Sequence, residues 1–333
     1  MSSFSTFAEL YQNALRECKL RKHSLFNINV SKIGSTTNKK QNNYSLGRDL
    51  FHLWSGLRDT ILLDYAVLKD SDCTDLQNLS KQLSILENNN SELLNNFPHT
   101  SHENVNKLNF GNIGVMIIKF WMFFDGKREE MIFNYLINTE KLKQRLEKLQ
   151  SCDLNLIFID IDALDRKEPY LECGEKIQNN IQPFIQLISN QIIENFNNGN
   201  GKCVFEIDFS SHLTPSLPFL PFDATLMNGI LLNYPIILFY GSRFPIQQTS
   251  NKNLKFYANH VLNNIDLYRY TLSCTQEHQE TLLQFIIPQS IYSENSQMID
   301  STIEQWLSTQ QQSNKKPHLQ LSKETIQYDN IVL

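Results

Sequence analysis

Three apolar, strand-like segments of this sequence end in aspartate. Asp125 follows WMFF, Asp160 and Asp162 belong to IFIDID, and Asp208 ends VFEID. If these strands run parallel, their carboxylates gather along one edge of the sheet, where open α/β sheets bind ligands. Several carboxylates at one edge suit Mg²⁺, whose octahedral shell prefers oxygen ligands. The pattern therefore predicts a Mg²⁺ site at these four residues and a metal-dependent hydrolase or phosphatase as one function.

The same aspartates have a simpler explanation. Aspartate is common where a strand ends, because its side chain forms turns and caps the helix that follows. Asp160-Ile161-Asp162 also invites comparison with the haloacid dehalogenase nucleophile motif, in which one carboxylate attacks phosphorus and the next but one acts as acid and base. The sequence departs from that motif, because Leu164 stands where the family has Thr or Val.

Other combinations of reactive residues are incomplete. Ser210-Ser211-His212 places a hydroxyl and an imidazole near Asp208, but no GxSxG turn surrounds them. Gly199-Asn200-Gly201-Lys202 lacks the Ser or Thr that ends a phosphate-binding loop. The leading prediction is therefore a binding or scaffold module without catalysis, and the aspartate-based metal enzyme stays the alternative.

The composition restricts the class of partner. The 333 residues carry a net charge of −5, and their basic clusters are no denser than pairs such as Lys39-Lys40. Because binding to nucleic acid requires clustered basic residues that neutralise phosphates, we expect no nucleic-acid partner. The longest apolar run, Ile113–Phe124, contains Lys119 and is shorter than the roughly 20 residues that cross a bilayer, so we expect no membrane partner. Six cysteines without a CxxC pair predict reduced thiols and an intracellular, cytoplasmic location.

The order of elements predicts the fold class. Apolar strands alternate with amphipathic helices, which is typical of crossover connections, so we expect an α/β fold with a largely parallel or mixed sheet of about five to six strands flanked by helices. The predicted strands are 120–124, 154–162, 203–209 and 236–240, and the predicted helices are 129–149, 176–195 and 224–232. Asp223 is the expected N-cap of the last of these helices, and Asn233 is its expected left-handed C-cap.

Changes in composition divide the chain into three predicted regions. Residues 1–103 form a helical region with Asn-rich loops that packs on the core, including a helix over 44–68 with apolar residues at spacings of three and four. Residues 104–309 form the α/β core, with strands at 267–272 and 282–287 as an antiparallel pair at one edge. Residues 310–333 read as a polar tail.

Two segments resemble a known family. The segment LPFLPFDATLMNGILLNYPIILFYG and the turn WMFFDG are similar to the corresponding parts of the eukaryotic homologues of chromosome 1 open reading frame 74. The resemblance covers roughly residues 104–307 and departs in the long Asn-rich N-terminal region. It implies the α/β fold and no assigned activity or catalytic residues.

Overall fold

A computed structural model of the chain describes residues 3–19, 46–54, 57–63, 70–89, 112–124, 127–151, 155–161, 168–172, 181–199, 202–209, 223–240, 262, 265–274, 280–314 and 319–327. These residues form a mixed α/β fold of seven helices and three open sheets. The helices are α1 (Ser3–Glu17), α2 (Leu46–Trp54), α3 (Asp70–Asn89), α4 (Thr139–Gln150), α5 (Gln182–Asn198), α6 (Ala224–Leu231) and α7 (Gln289–Asn314). The strands are β1 (Thr60–Leu62), β2 (Ile113–Phe124), β3 (Lys127–Asn138), β4 (Ile157–Asp160), β5 (Tyr170–Glu172), β6 (Val204–Asp208), β7 (Ile236–Phe239), β8 (Asp266–Cys274), β9 (Glu280–Pro288) and β10 (Leu319–Gln327).

The sheets are mostly antiparallel. The strand order is β1-β3-β2-β6 in the first sheet, β5-β4-β7 in the second and β10-β8-β9 in the third. Within these sheets only the β2–β6 and β4–β7 pairs are parallel. The prediction of one largely parallel sheet is therefore wrong. The four strands predicted for it divide between the first and second sheets.

The main reason for this difference is β3. The sequence predicts a helix over 129–149, but a strand pairs antiparallel with β2 along its whole length, and helix α4 begins only at Thr139. Asp125-Gly126 joins the two strands in sequence, and Asp-Gly is a turn pair typical of hairpins. The side chain of Asn138 accepts a hydrogen bond from the backbone N–H of Lys141 and so caps α4.

Strand β2 is also longer than the predicted strand 120–124, and it contains Lys119 in its interior. The lysine is tolerated because its ammonium nitrogen lies 3.0 Å from Oε2 of Glu206 on the neighbouring strand β6. Both side chains are partly exposed, so neither charge is fully desolvated.

The helices and strands near both ends of the chain differ from those that the sequence predicts. The predicted helix over 44–68 is wrong beyond Trp54, because α2 ends there and the short strand β1 follows. Helix α7 continues to Asn314, into the region predicted as a tail. That region also contains β10, which pairs antiparallel with β8 from Leu319 to Gln327. The division of the chain into three regions stays a prediction.

Two hydrophobic cores hold these elements together, and strands β2, β3, β4 and β7 contribute side chains to both. The first core joins α1, α2 and α3 to β8, β9 and α7. The second core joins β2, β3 and β6 to α4, α5 and α6. Ile159 and Leu238 face the first core, whereas Phe158 and Ile237 face the second. The β4–β7 pair is therefore buried on both faces, which is typical of parallel strands with a continuous apolar sequence.

A buried polar cluster joins the sheets. The guanidinium of Arg145 on α4 donates to both carboxylate oxygens of Asp59, and Nη2 donates to the carbonyl of Leu231 at 2.6 Å. Arg58 donates to the carbonyls of Thr60 and Leu282, which connects the β1 segment to β9. Burial lowers the pKa of Arg58. These contacts neutralise or satisfy charges that would otherwise be costly in the interior.

Candidate functional site

The structure places two of the four predicted metal ligands, and it puts them on different sheets. Asp160 ends β4 in the second sheet, and Asp208 ends β6 in the first. Asp125 and Asp162 lie outside the described residues. In the part of the chain that the structure describes, no three His, Cys, Asp or Glu residues are grouped so that they could hold a metal ion. The four-aspartate site stays a prediction.

Asp208 belongs to a charged patch on the first sheet. It is exposed, and its Cα partner in the parallel β2–β6 pairing is Lys119. The hydrogen bond from Lys119 to Glu206 raises the pKa of the lysine, and Asp208 adds to this rise. The lysine therefore stays protonated and balances the two carboxylates of β6.

Asp160 has different surroundings. It is only 5% exposed and lies between Phe239 of β7 and Tyr170 of β5 in the strand register. Nearby, Oδ2 of Asp223 accepts a hydrogen bond from the backbone N–H of Tyr240, just beyond β7, at 2.8 Å. The other oxygen of Asp223 caps α6, which confirms the N-cap predicted from sequence. Both oxygens of Asp223 therefore hold the backbone in place.

A cleft of about 560 Å³ lies between β5 and the first turns of α7. Its described lining consists of Glu168, Pro169, Tyr170, Leu171, Ile291, Glu294 and Asn295. We call this cavity the acidic cleft. Glu168 and Glu294 are exposed, and Tyr170 is 46% exposed. The described lining contains no Lys or Arg, so its charge is negative.

A kink in α7 shapes one wall of the acidic cleft. Asn295 has non-helical backbone angles, with φ −130° and ψ 24°. Its side-chain amide donates a hydrogen bond to the backbone carbonyl of Ile291 at 3.0 Å. This carbonyl therefore keeps a hydrogen-bond donor where the helix bends. Tyr292 lies before the kink and Asp300 after it, and the phenol donates to the carboxylate across the bend at 2.8 Å. The wall is therefore held in its bent shape by side chains.

The chemistry of the acidic cleft is that of a binding site for cations. Two carboxylates provide negative charge, and the phenol of Tyr170, the aliphatic side chains of Leu171 and Ile291, and the amide of Asn295 provide contact surface. No Ser, Cys or His belongs to the described lining, so these residues supply no nucleophile of the kinds used in acyl transfer.

Sequence reasoning missed the acidic cleft. Its walls come from two segments, around 168–171 and 291–295, that are far apart in the chain. The available signals were weak: Glu-Pro-Tyr marks the start of an edge strand, and Asn295 interrupts an otherwise helical pattern. Neither signal indicates that the two segments meet.

Comparison with known proteins gives a family and no closer relative. No curated protein and no solved structure matches the chain. In the residues that the structure describes, no helix is long and apolar enough to cross a membrane. Residues 26–333 match the family described as "Domain of unknown function (DUF4504)". Because this match covers nearly the whole sequence, the chain belongs to the DUF4504 family.

Proposed function

We propose that the protein is an intracellular binding module without catalysis, and that the acidic cleft takes a basic segment of a partner polypeptide. The observation that carries this proposal is the pair of exposed carboxylates, Glu168 and Glu294, beside the exposed ring of Tyr170.

The backbone of β5 offers a second means of attachment. Strand β5 pairs with β4 on one side, and in the described residues no strand pairs with its other side. An extended peptide can add to such an edge through main-chain hydrogen bonds, with alternate side chains entering the neighbouring cleft. A Lys or Arg at those positions places its cation between Glu168 and Glu294 and its methylene stem on Tyr170.

The test uses a labelled heptapeptide of alternating Lys and Val, because alternation places the lysines on one face of a strand. We expect it to bind the wild-type protein and to bind the Glu168→Lys/Glu294→Lys variant at least about tenfold more weakly. The matched control is Glu147→Lys/Glu304→Lys, which makes the same change in net charge at exposed positions away from the cleft. Equal loss in both variants, or no binding to the wild type, would refute the proposal.

Asp160 supports a second candidate, the metal-dependent hydrolase. Its buried carboxylate ends a strand that pairs in parallel with β7, and ligands of α/β sheets bind beyond such carboxyl ends. A bound divalent ion stabilises the fold by about 2.7 kcal/mol at a hundredfold excess over its dissociation constant. Thermal melts with millimolar Mg²⁺ or Mn²⁺ should then show a rise that Asp160→Asn abolishes. A wild-type melting temperature indifferent to both ions leaves only the binding module.

A further inference from the structure

Three tyrosines surround the ammonium group of Lys323 on strand β10. Its Nζ lies 3.4 Å from the ring centroid of Tyr292 and 3.8 Å from that of Tyr268. The ring of Tyr270 is 5.6 Å away. All three distances are within the roughly 6 Å at which an aromatic face attracts a cation. We call Tyr268, Tyr270 and Tyr292 the tyrosine cage.

Two secondary-structure elements build the tyrosine cage. Tyr268 and Tyr270 are alternate residues of β8, so they lie on the same face of the third sheet. Lys323 is the Cα partner of Tyr270 in the β8–β10 pairing. Tyr292 comes from the first part of α7, which packs on this sheet. The cage therefore depends on the fold and not on a local sequence motif.

Contacts with neighbouring side chains fix the positions of the cage rings. The phenol of Tyr292 donates to Asp300, and its ring meets Tyr268 edge to face with centroids 5.0 Å apart. Tyr270 stacks on Phe285 at 5.2 Å, with an angle of 1° between the ring planes. The hydrogen bond to Asp300 also raises the pKa of Tyr292 and keeps its phenol neutral. A fixed set of rings beside a carboxylate is prearranged for a cation.

Lys323 holds its position by its charge. Within the described residues its ammonium group makes cation–π contacts but no hydrogen bond or ion pair, whereas its neighbour Glu324 forms an ion pair with Arg269 at 2.7 Å. Aromatic faces attract charge without requiring an N–H donor, so a methylated ammonium is accepted as readily as a primary one. Lys323 is also exposed, so its side chain can swing into water while β10 stays paired with β8.

We propose that the tyrosine cage is a binding site for alkylammonium groups, and that Lys323 occupies it when no ligand is bound. A ligand that carries a methylated ammonium replaces the lysine side chain and leaves the strand in place. Because the lysine is attached to the same chain, it competes as an intramolecular ligand and weakens binding to the wild-type protein. This site is separate from the acidic cleft and does not depend on its function.

The first test measures tetramethylammonium binding by calorimetry. We expect Lys323→Ala to bind at least about tenfold more tightly than the wild type, because the competitor is gone. Lys323→Arg should resemble the wild type, since a guanidinium refills the cage. The matched control, Gln320→Ala, changes an exposed residue of the same strand and should have no effect. Adding Tyr292→Ala to Lys323→Ala should abolish the gain, and equal affinity of Lys323→Ala and wild type would overturn the proposal.

The second test uses the wild-type protein and does not depend on whether any variant folds. Ring currents should shift the ε-methylene protons of Lys323 upfield in its NMR spectrum, and saturating tetramethylammonium should return them to the position of a free lysine. Unmoved protons at saturation would contradict the proposal.

A comparison of choline with a trimethyllysine peptide then identifies the source of the ammonium group. Tighter binding of the peptide to Lys323→Ala assigns the cage to methylated polypeptides, and tighter binding of choline assigns it to small quaternary amines. If neither binds, the proposal fails.

Discussion

Arg145 makes contacts that no other residue type can reproduce. Its planar guanidinium donates to Asp59 through Nε and Nη2, and it donates to the carbonyls of Ile230 and Leu231 at the end of α6 through Nη1 and Nη2. A lysine has a single nitrogen and cannot occupy these positions together. The arginine therefore connects α4, α6 and the β1 segment at one point in the interior.

The first prediction concerns this residue. Replacing Arg145 by Met leaves the Asp59 carboxylate, whose side chain is only 14% exposed, without its partner. Breaking a buried ion pair in this way costs about 3–5 kcal/mol of unfolding free energy. Urea denaturation should show this loss for Arg145→Met, whereas Lys148→Met, an exposed change on the same helix, should stay within about 0.5 kcal/mol of the wild type. A cost below about 1 kcal/mol for Arg145→Met would show that the pair is replaceable.

The second prediction follows from two buried tyrosines. Burial raises the pKa of Tyr11 and of Tyr135, so both phenols keep their protons in the folded state. In the unfolded chain both phenols release their protons at about pH 10. Their stabilising contribution is complete below that pH and is lost as pH rises above it. Each tyrosine makes the free energy of unfolding fall by about 1.4 kcal/mol per pH unit.

Tyr135→Phe tests this directly. At neutral pH it should cost about 0.5–1.5 kcal/mol, because the phenol donates a hydrogen bond to Asn228. Above about pH 10 the unfolding free energy of the variant should fall less steeply with pH than that of the wild type. The difference between the two slopes should be about 1.4 kcal/mol per pH unit, which is the contribution of one tyrosine. Urea titrations on both sides of this pH measure the slopes. Parallel slopes would mean that the phenol ionises without unfolding.

Among the elements, β3 shows where sequence reasoning fails. Met131 and Tyr135 are four residues apart, and this spacing fits both a helix face and one face of a strand. The half-buried Phe133 between them agrees only with the strand, and Ile132 on the opposite face is 49% exposed.

Short-range signals succeeded elsewhere: Asp223 caps α6, Asn233 has the left-handed φ of 62°, and β8 pairs antiparallel with β9.

The third prediction concerns the packing of α6 on β7. A Cβ added at Gly229 would lie 2.7 Å from Cγ2 of Ile237, closer than van der Waals contact allows. Gly229→Ala should therefore lose about 1–3 kcal/mol, although alanine favours the helix by about 1 kcal/mol. The matched double variant Gly229→Ala/Ile237→Ala should lose less than the sum of the two single changes, because the smaller side chain makes room. Additive losses would place the strain elsewhere.

At the scale of the whole molecule, the arrangement of the sheets was not predictable from this sequence. Strands β2 and β6 were expected beside β4 and β7, because the sequence predicts all four as short, largely apolar strands that alternate with helices. Their division between two sheets depends on β3, which occupies one side of β2, and on long-range contacts such as that of Arg58 with Leu282. The acidic cleft and the tyrosine cage were missed for the same reason, since each combines α7 with a distant strand.

The last prediction is that the two cores unfold together, because β4 and β7 contribute to both. Leu79 on α3 is fully buried in the first core, and Leu146 on α4 is fully buried in the second. Replacing either by alanine should cost about 2–5 kcal/mol, from lost burial and the cavity that remains. If the cores are coupled, each change lowers the denaturation midpoint seen by tryptophan fluorescence and by far-ultraviolet circular dichroism by the same amount.

Hydrogen exchange provides the site-specific measurement for this prediction. Within each variant, hydrogen exchange should accelerate by the same factor at the backbone amide of Ile159 and at that of Leu238. The reason is that these strands open only when the whole molecule unfolds. The matched controls are Ile85→Ala and Met298→Ala, two large apolar side chains that are more than two-fifths exposed at 43% and 44% and should change little. If Leu79→Ala speeds exchange in the first core alone and the two optical transitions separate, the N-terminal helices form a unit that opens independently of the second core.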